Sequence, residues 1–153
     1  SPPRPTIDMD KIKARSIASS HYRKGRALAK DGKHQLSIVQ FNAAIEKDPK
    51  YASAYTSRGI AYKNLGQYQR AIQDYDKAIQ LDPNYGTAYG NRGNAYDSLG
   101  QYQRALEDFD QAVRLEPIAR RYNNRGIAHR TLGKYAEADA DKAKACSLDS
   151  KWC

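Results

Sequence analysis

Apolar side chains recur along this chain at helical spacing. Tyr55, Tyr62 and Leu65 form one stripe; Tyr68, Ala71, Ile72, Tyr75, Ala78 and Ile79 form a second. Gly66-Gln67 interrupts the pattern between them, and Gly100-Gln101 does the same further on, where a helix must end and the chain turn. Asp82-Pro83 closes the second stripe, because proline disfavours helical geometry in the residue before it. The pattern predicts pairs of amphipathic helices, joined by a glycine turn and separated by an acid-proline break.

The pairs repeat. Lys24-Gly25, Arg58-Gly59, Arg92-Gly93 and Arg125-Gly126 follow one another at intervals of 34, 34 and 33 residues. Asp48-Pro49, Asp82-Pro83 and Glu116-Pro117 keep the same rhythm. Counting from Ala18, Ala52, Gly86 and Ala119, an aromatic residue or histidine fills the fourth slot of every unit: His21, Tyr55, Tyr89 and Tyr122. Slot 24 holds Phe41, Tyr75, Phe109 and Lys142, and slot 27 holds Ala44, Ala78, Ala112 and Ala145. One hairpin cannot bury its apolar face alone, whereas stacked hairpins can.

This pattern resembles the tetratricopeptide repeat (TPR), in the style of bacterial members, over residues 18 to about 150. The resemblance implies an all-α fold, a right-handed α-solenoid of four helix-turn-helix repeats at about 18–51, 52–85, 86–118 and 119–152, with residues 10–153 as one domain. Residues 1–9 hold three of the six prolines and read as a disordered tail. Asp8 or Asp10 is placed to cap a first helix running from Lys11 to Ala29, longer than its counterparts.

The last unit departs from its siblings. Asp139, Lys142 and Cys146 stand where earlier units carry Ile or Leu, an aromatic, and Ile or Val. Polar side chains on an outer face suit the end of an array, so the stack is expected to stop here; a chain cut from a longer array is the alternative.

Three arginines at slot 7 match three aspartates at slot 23: Arg58 with Asp74, Arg92 with Asp108, Arg125 with Asp141. In the first unit both change together, to Lys24 and Gln40. Such covariation predicts a bidentate bridge between the two helices of a hairpin, a structural role rather than a binding one.

In tetratricopeptide-repeat proteins the inner, concave surface is lined by set positions of the first helix in each unit. Carried over residue by residue, the resemblance makes Tyr22, Arg23, Arg26, Thr56, Ser57, Lys63, Asn64, Asn91, Asn94, Arg120, Asn123, Asn124 and Arg130 the candidate peptide-binding residues. Hydroxyl and amide groups in a groove suit hydrogen bonding to an extended backbone. The five-residue set with which some relatives grip chaperone tails is matched only at Asn91 and Arg120, which speaks against that ligand.

The net charge of +9 favours an anionic partner, such as an acidic peptide. Units 18–51 and 119–153 each carry +4, but 86–118 carries −2. That interruption ranks nucleic acid below an unidentified protein or peptide partner. Self-assembly through the exposed array ends, one of them bearing Trp152, is a third reading.

Nothing in the chain calls for catalysis or a cofactor. Gly-rich phosphate loops, Gly-x-Ser-x-Gly and His-Glu-x-x-His are absent. Asp74-Tyr75-Asp76 and Asp108-Phe109-Asp110 look like metal ligands, yet residues two apart on a helix point about 200° apart. His21, His34 and His129 occupy aromatic slots and read as core substitutes. For Cys146 and Cys153, a disulfide within the chain, a crosslink between molecules and two free thiols all fit the spacing. The stretch of about 18 apolar residues that a membrane span needs is missing. A soluble protein of cytoplasm or periplasm is expected; the absent initial Met, the Pro-rich start and the cysteine pair point toward the periplasm.

Overall fold

The computed structural model describes residues 6–153. Among them are eight α-helices, a terminal 3-10 turn and no strand. The helices are α1 (Met9–Lys30), α2 (His34–Lys47), α3 (Ala52–Asn64), α4 (Tyr68–Leu81), α5 (Gly86–Ser98), α6 (Tyr102–Leu115), α7 (Ala119–Thr131) and α8 (Tyr135–Leu148). Consecutive helices pair as hairpins α1/α2, α3/α4, α5/α6 and α7/α8, and each hairpin packs on the next in chain order. The result is an all-α solenoid, in which each unit touches only its neighbours.

The predicted turns form as the glycines require. Gly32, Gly66, Gly100 and Gly133 all have φ between 72° and 74°, the left-handed region that penalises a side chain. At the α3/α4 turn the Gly66 amide donates to the Lys63 carbonyl and the Gln67 amide to Tyr62, both at 2.9 Å, which satisfies the orphan carbonyls of the helix end. α1 begins with the Asp8 carboxylate accepting from the Lys11 amide at 3.0 Å. Met9, placed in the tail by the sequence, is helical, because that cap lies one turn before Lys11. Residues 6–8 are exposed and non-helical, while the part of the tail at residues 1–5 lies outside the described residues.

The first three hairpins each close on one ring. Phe41, Tyr75 and Phe109 are buried, and a Cβ added at the facing glycine would lie 2.6 Å from Phe41, 2.7 Å from Tyr75 and 2.8 Å from Phe109. The ring fills the space that Gly25, Gly59 and Gly93 leave, and its burial contributes about 2 to 3 kcal/mol per unit. Tyr75 also packs with Ala95, and Phe109 with Ala128, so slot 24 joins its own hairpin to the next one. In the last unit Lys142 leaves the slot without a ring, and the atoms nearest a Cβ added at Gly126 would be Asp141 Cβ (3.1 Å), the Ala138 carbonyl (3.3 Å) and the Lys142 amide nitrogen (3.8 Å).

Candidate functional site

The three arginine–aspartate pairs are bidentate. Arg58 donates to Asp74 at 2.9 and 2.6 Å, Arg92 to Asp108 at 2.8 and 2.7 Å, and Arg125 to Asp141 at 2.8 and 2.7 Å. Burial pushes the Asp74 and Asp108 carboxyls above the usual carboxylate range, against the pull of their arginines. The third donor of each arginine reaches the preceding hairpin: Arg58 to Asn42 at 2.8 Å, Arg92 to Asp76 at 2.7 Å, Arg125 to Asp110 at 3.1 Å. Two tyrosines flank Arg58 and Arg92, and Tyr122 lies under Arg125; Arg92 is 5.5 Å from the Tyr89 ring and 5.9 Å from the Tyr96 ring. These arginines form a ladder that staples unit to unit.

In the first unit no hydrogen bond joins Lys24 to Gln40 among the described residues. The Gln40 carbonyl oxygen lies 2.9 Å from His21 Nδ1, and Lys24 is exposed. His129, another core substitute, is half-buried with Nε2 3.7 Å from Asp141.

The groove candidates separate into four groups. Thr56 is 2% exposed and its hydroxyl bonds back to the Ala52 carbonyl, so it does not reach a ligand. Its side chain is buried in the stack of hairpins, with its hydroxyl spent on its own helix. Tyr22 and Ser57 are drawn together, hydroxyl to hydroxyl at 3.4 Å, with Tyr22 stacked 4.9 Å from Tyr51. Arg23, Arg26, Asn64, Arg120 and Arg130 are exposed and Lys63 is half-buried. Arg26 leans over the Tyr22 ring at 5.8 Å, and Arg130 pairs with exposed Asp139 at 2.7 Å.

The fourth group is Asn91, Asn94, Asn123 and Asn124. All four are half-buried on α5 and α7. Their side-chain amides have no hydrogen-bond partner among the described residues, although Asn94 lends its backbone carbonyl to Ser98. Each such amide offers two donors and an acceptor.

Sequence reasoning missed Arg121. It is 3% exposed in a slot that Ala54 and Ala88 fill in earlier units. Its guanidinium donates to Glu116 at 2.6 and 3.1 Å and to the Thr87 hydroxyl at 3.1 Å. Burial would raise the Glu116 carboxyl, but the bonds from Arg121 and Thr87 outweigh it and hold the group below its ordinary value. Gly86 and Gly90 make the room: a Cβ at Gly86 would lie 2.7 Å from Glu116, and one at Gly90 would meet the guanidinium itself. Two glycines inside one helix, where they cost stability, were the available signal.

Cys146 and Cys153 form a disulfide that ties the 3-10 turn Ser150–Trp152 to α8. No helix among the described residues is long and apolar enough to cross a membrane. No group of three or more His, Cys, Asp or Glu among them could hold a metal ion.

Stacked helical hairpins with a glycine–aromatic contact in each of the first three units define a helical-repeat solenoid. Tetratricopeptide-repeat profiles match residues 52–85 and 86–117, a TPR-repeat profile matches 25–66, and a further tetratricopeptide-repeat profile matches 119–151. The chain belongs to the tetratricopeptide-repeat family. It is similar to MamA, at 27% identity and a TM-score of 0.80 over 92% of this chain and 83% of that one. It is also similar to the first TPR of Spaghetti (RPAP3) bound to the HSP90 peptide SRMEEVD, at 27% identity and 0.75 over 78% and 95%. The Arabidopsis OM64 TPR domain matches at 30% identity and 0.72 over 80% and 98%. No curated protein sequence gives a significant match.

Proposed function

We propose that the chain is a protein-interaction scaffold that holds an extended or helical segment of a partner against its first-helix surface. The carrying observation is the set of half-buried, unpartnered amides at Asn91, Asn94, Asn123 and Asn124. A half-buried amide that lacks a protein partner gains from a ligand backbone, which supplies both donors and acceptors. Exposed Arg23, Arg26 and Lys30 on α1 favour acidic residues at one end of that segment. Two of the similar structures, both TPRs of Spaghetti, hold an HSP90 peptide, which supports peptide binding as a use of this fold. The chaperone-gripping set is matched only at Asn91 and Arg120, so a different peptide class is proposed.

Panning a random peptide display library against the chain at about 0.15 M salt, where surface attraction is screened beyond about 8 Å, tests the proposal. Selected peptides should lose at least about tenfold affinity, on the order of 1.4 kcal/mol, with Asn91→Ala/Asn124→Ala. Circular dichroism would show that the variant keeps its helices. Peptides that bind the variant equally well, or recovery of salt-labile nucleic acid alone, would remove the proposal.

A further inference from the structure

Arg121 does not spend all the donors of its guanidinium. Nε and Nη2 donate to Glu116 Oε2 at 3.1 and 2.6 Å, and Nη2 donates again to the Thr87 hydroxyl at 3.1 Å. That hydroxyl donates in turn to Glu116 Oε1 at 3.1 Å, so both oxygens of the carboxylate are engaged. Nη1, with two N–H groups, meets no acceptor among the described residues. The side-chain atoms among them that are sealed from solvent without a partner are His34 Nδ1, Tyr75 Oη and His129 Nδ1. Nη1 is not one of these, so a residue only 3% exposed keeps two free donors at an opening.

Nη1 lies against Gly90. A Cβ built there would collide with it and lie 3.1 Å from Cζ. Gly90 holds the fifth slot of its unit, where the other units carry the groove candidates Tyr22, Thr56 and Asn123. In α3 the buried Thr56 fills that slot and spends its hydroxyl on its own helix. In α5 no side chain stands over the charged nitrogen, and glycine lets another backbone come close. The unpartnered amides frame the place: Asn94 stands one turn beyond Gly90 on α5, and Asn124 one turn beyond Arg121 on α7.

Charge decides which acceptor suits Nη1. Glu116 already balances the guanidinium, and a second carboxylate at Nη1 would stand close to the first. Of the other charges on α5 and α7, Arg92, Arg125 and Arg130 are each paired with an aspartate. Exposed Arg120 stands against half-buried Asp97. An anion gains no net attraction here, whereas a neutral oxygen accepts from Nη1 without repulsion. Resting on the peptide-binding reading above, we infer that Arg121 Nη1 is a subsite for one main-chain carbonyl of the partner segment, reached across Gly90. The buried donor fixes where that segment lies over α5 and α7, and the asparagine amides serve its remaining backbone groups.

The probes are the peptides that panning selects on the wild type, with affinity read by fluorescence anisotropy at about 0.15 M salt. Gly90→Ala sets a methyl over Nη1 and should weaken them about tenfold, as the loss of one bond from a charged donor does. Arg121→Ala/Glu116→Gln should do the same; Ala54 and Ala88 show that alanine fits this slot. Gly86→Ala crowds Glu116, 2.7 Å from its Cγ, on the side of the clasp away from Nη1. It should change affinity by no more than about twofold. Exchanging each peptide Asp or Glu for its amide should leave the Gly90→Ala factor intact. Exchanging one particular main-chain amide for an ester, whose carbonyl is a weaker acceptor, should abolish that factor. Thermal melts followed by circular dichroism show that each variant is folded at the binding temperature. Peptides weakened by Asn91→Ala/Asn124→Ala but not by Gly90→Ala or the Arg121 variant would leave the peptide surface standing and overturn this subsite. Equal losses with Gly86→Ala and Gly90→Ala, as a purely structural clasp predicts, would overturn it too, and so would a factor that vanishes with one peptide acid. Failure to select any peptide would remove both readings.

Discussion

Arg92 holds two hairpins at once: Nε and Nη2 donate to Asp108 of its own hairpin at 2.8 and 2.7 Å, and Nη1 to Asp76 of the preceding one at 2.7 Å. The partners differ in burial, with side-chain exposure of 7% for Asp108 and 52% for Asp76. Removing Asp108 therefore strands a guanidinium in a desolvated site, while removing Asp76 opens a solvent-screened bridge. Asp108→Ala should cost about 2 to 4 kcal/mol and Asp76→Ala less than about 1 kcal/mol. Arg92→Ala/Asp108→Ala should cost less than the two single changes added together. Urea midpoints of the four variants check this; strictly additive losses would show that the pair is not coupled.

Tyr75 carries a buried hydroxyl with no hydrogen-bond partner, in the slot that Phe41 and Phe109 fill in the flanking units. Burial pushes its phenol well above the ordinary value. An unsatisfied polar group is a cost that its neighbours avoid. Tyr75→Phe should raise stability by about 1 kcal/mol, seen as a higher thermal midpoint. A lower midpoint would reveal a partner for the hydroxyl.

The clasp of Glu116 on Arg121 and Thr87 should make stability sensitive to acid. The folded-state value of Glu116 is lowered, so the group contributes stability above its unfolded value near 4.3. That contribution is lost as pH falls through the folded value. Glu116→Gln should be less stable than wild type at about pH 6, and the gap should narrow toward about pH 3. Thermal melts across that range would show it, and a gap independent of pH would count against the clasp.

The slot-8 glycines should respond unequally to alanine. A Cβ at Gly59 would lie 2.7 Å from the Tyr75 ring, whereas one at Gly126 meets nothing closer than Asp141 Cβ at 3.1 Å. Gly59→Ala must displace a packed ring and should cost about 1 to 3 kcal/mol. Gly126→Ala faces no ring and recovers helix propensity, so its cost should be smaller by about 1 kcal/mol or more. Equal losses in denaturant would mean that the ring can yield.

Much of this molecule was legible along the chain itself. The period, the glycine turns and the acid-proline breaks are local: each depends on φ preference or helical spacing within a few residues. The arginine–aspartate pairs were legible too, because four copies of one unit let covariation stand in for contact. What depends on the distance between helices was not. Asp76 looked like half of a rejected metal cluster until Arg92 of the next hairpin came within 2.7 Å. Gln40 was assigned to Lys24, yet lies against His21. Thr56 shares its polarity with Ser57 but is buried, and Arg121 fits in its buried place because Gly90 of α5 leaves room for the guanidinium. A residue's slot in the repeat determines which face of the helix it occupies. Whether that face meets water, a ring or a charge is decided by what the next hairpin places there, and that depends on stacking rather than on periodicity.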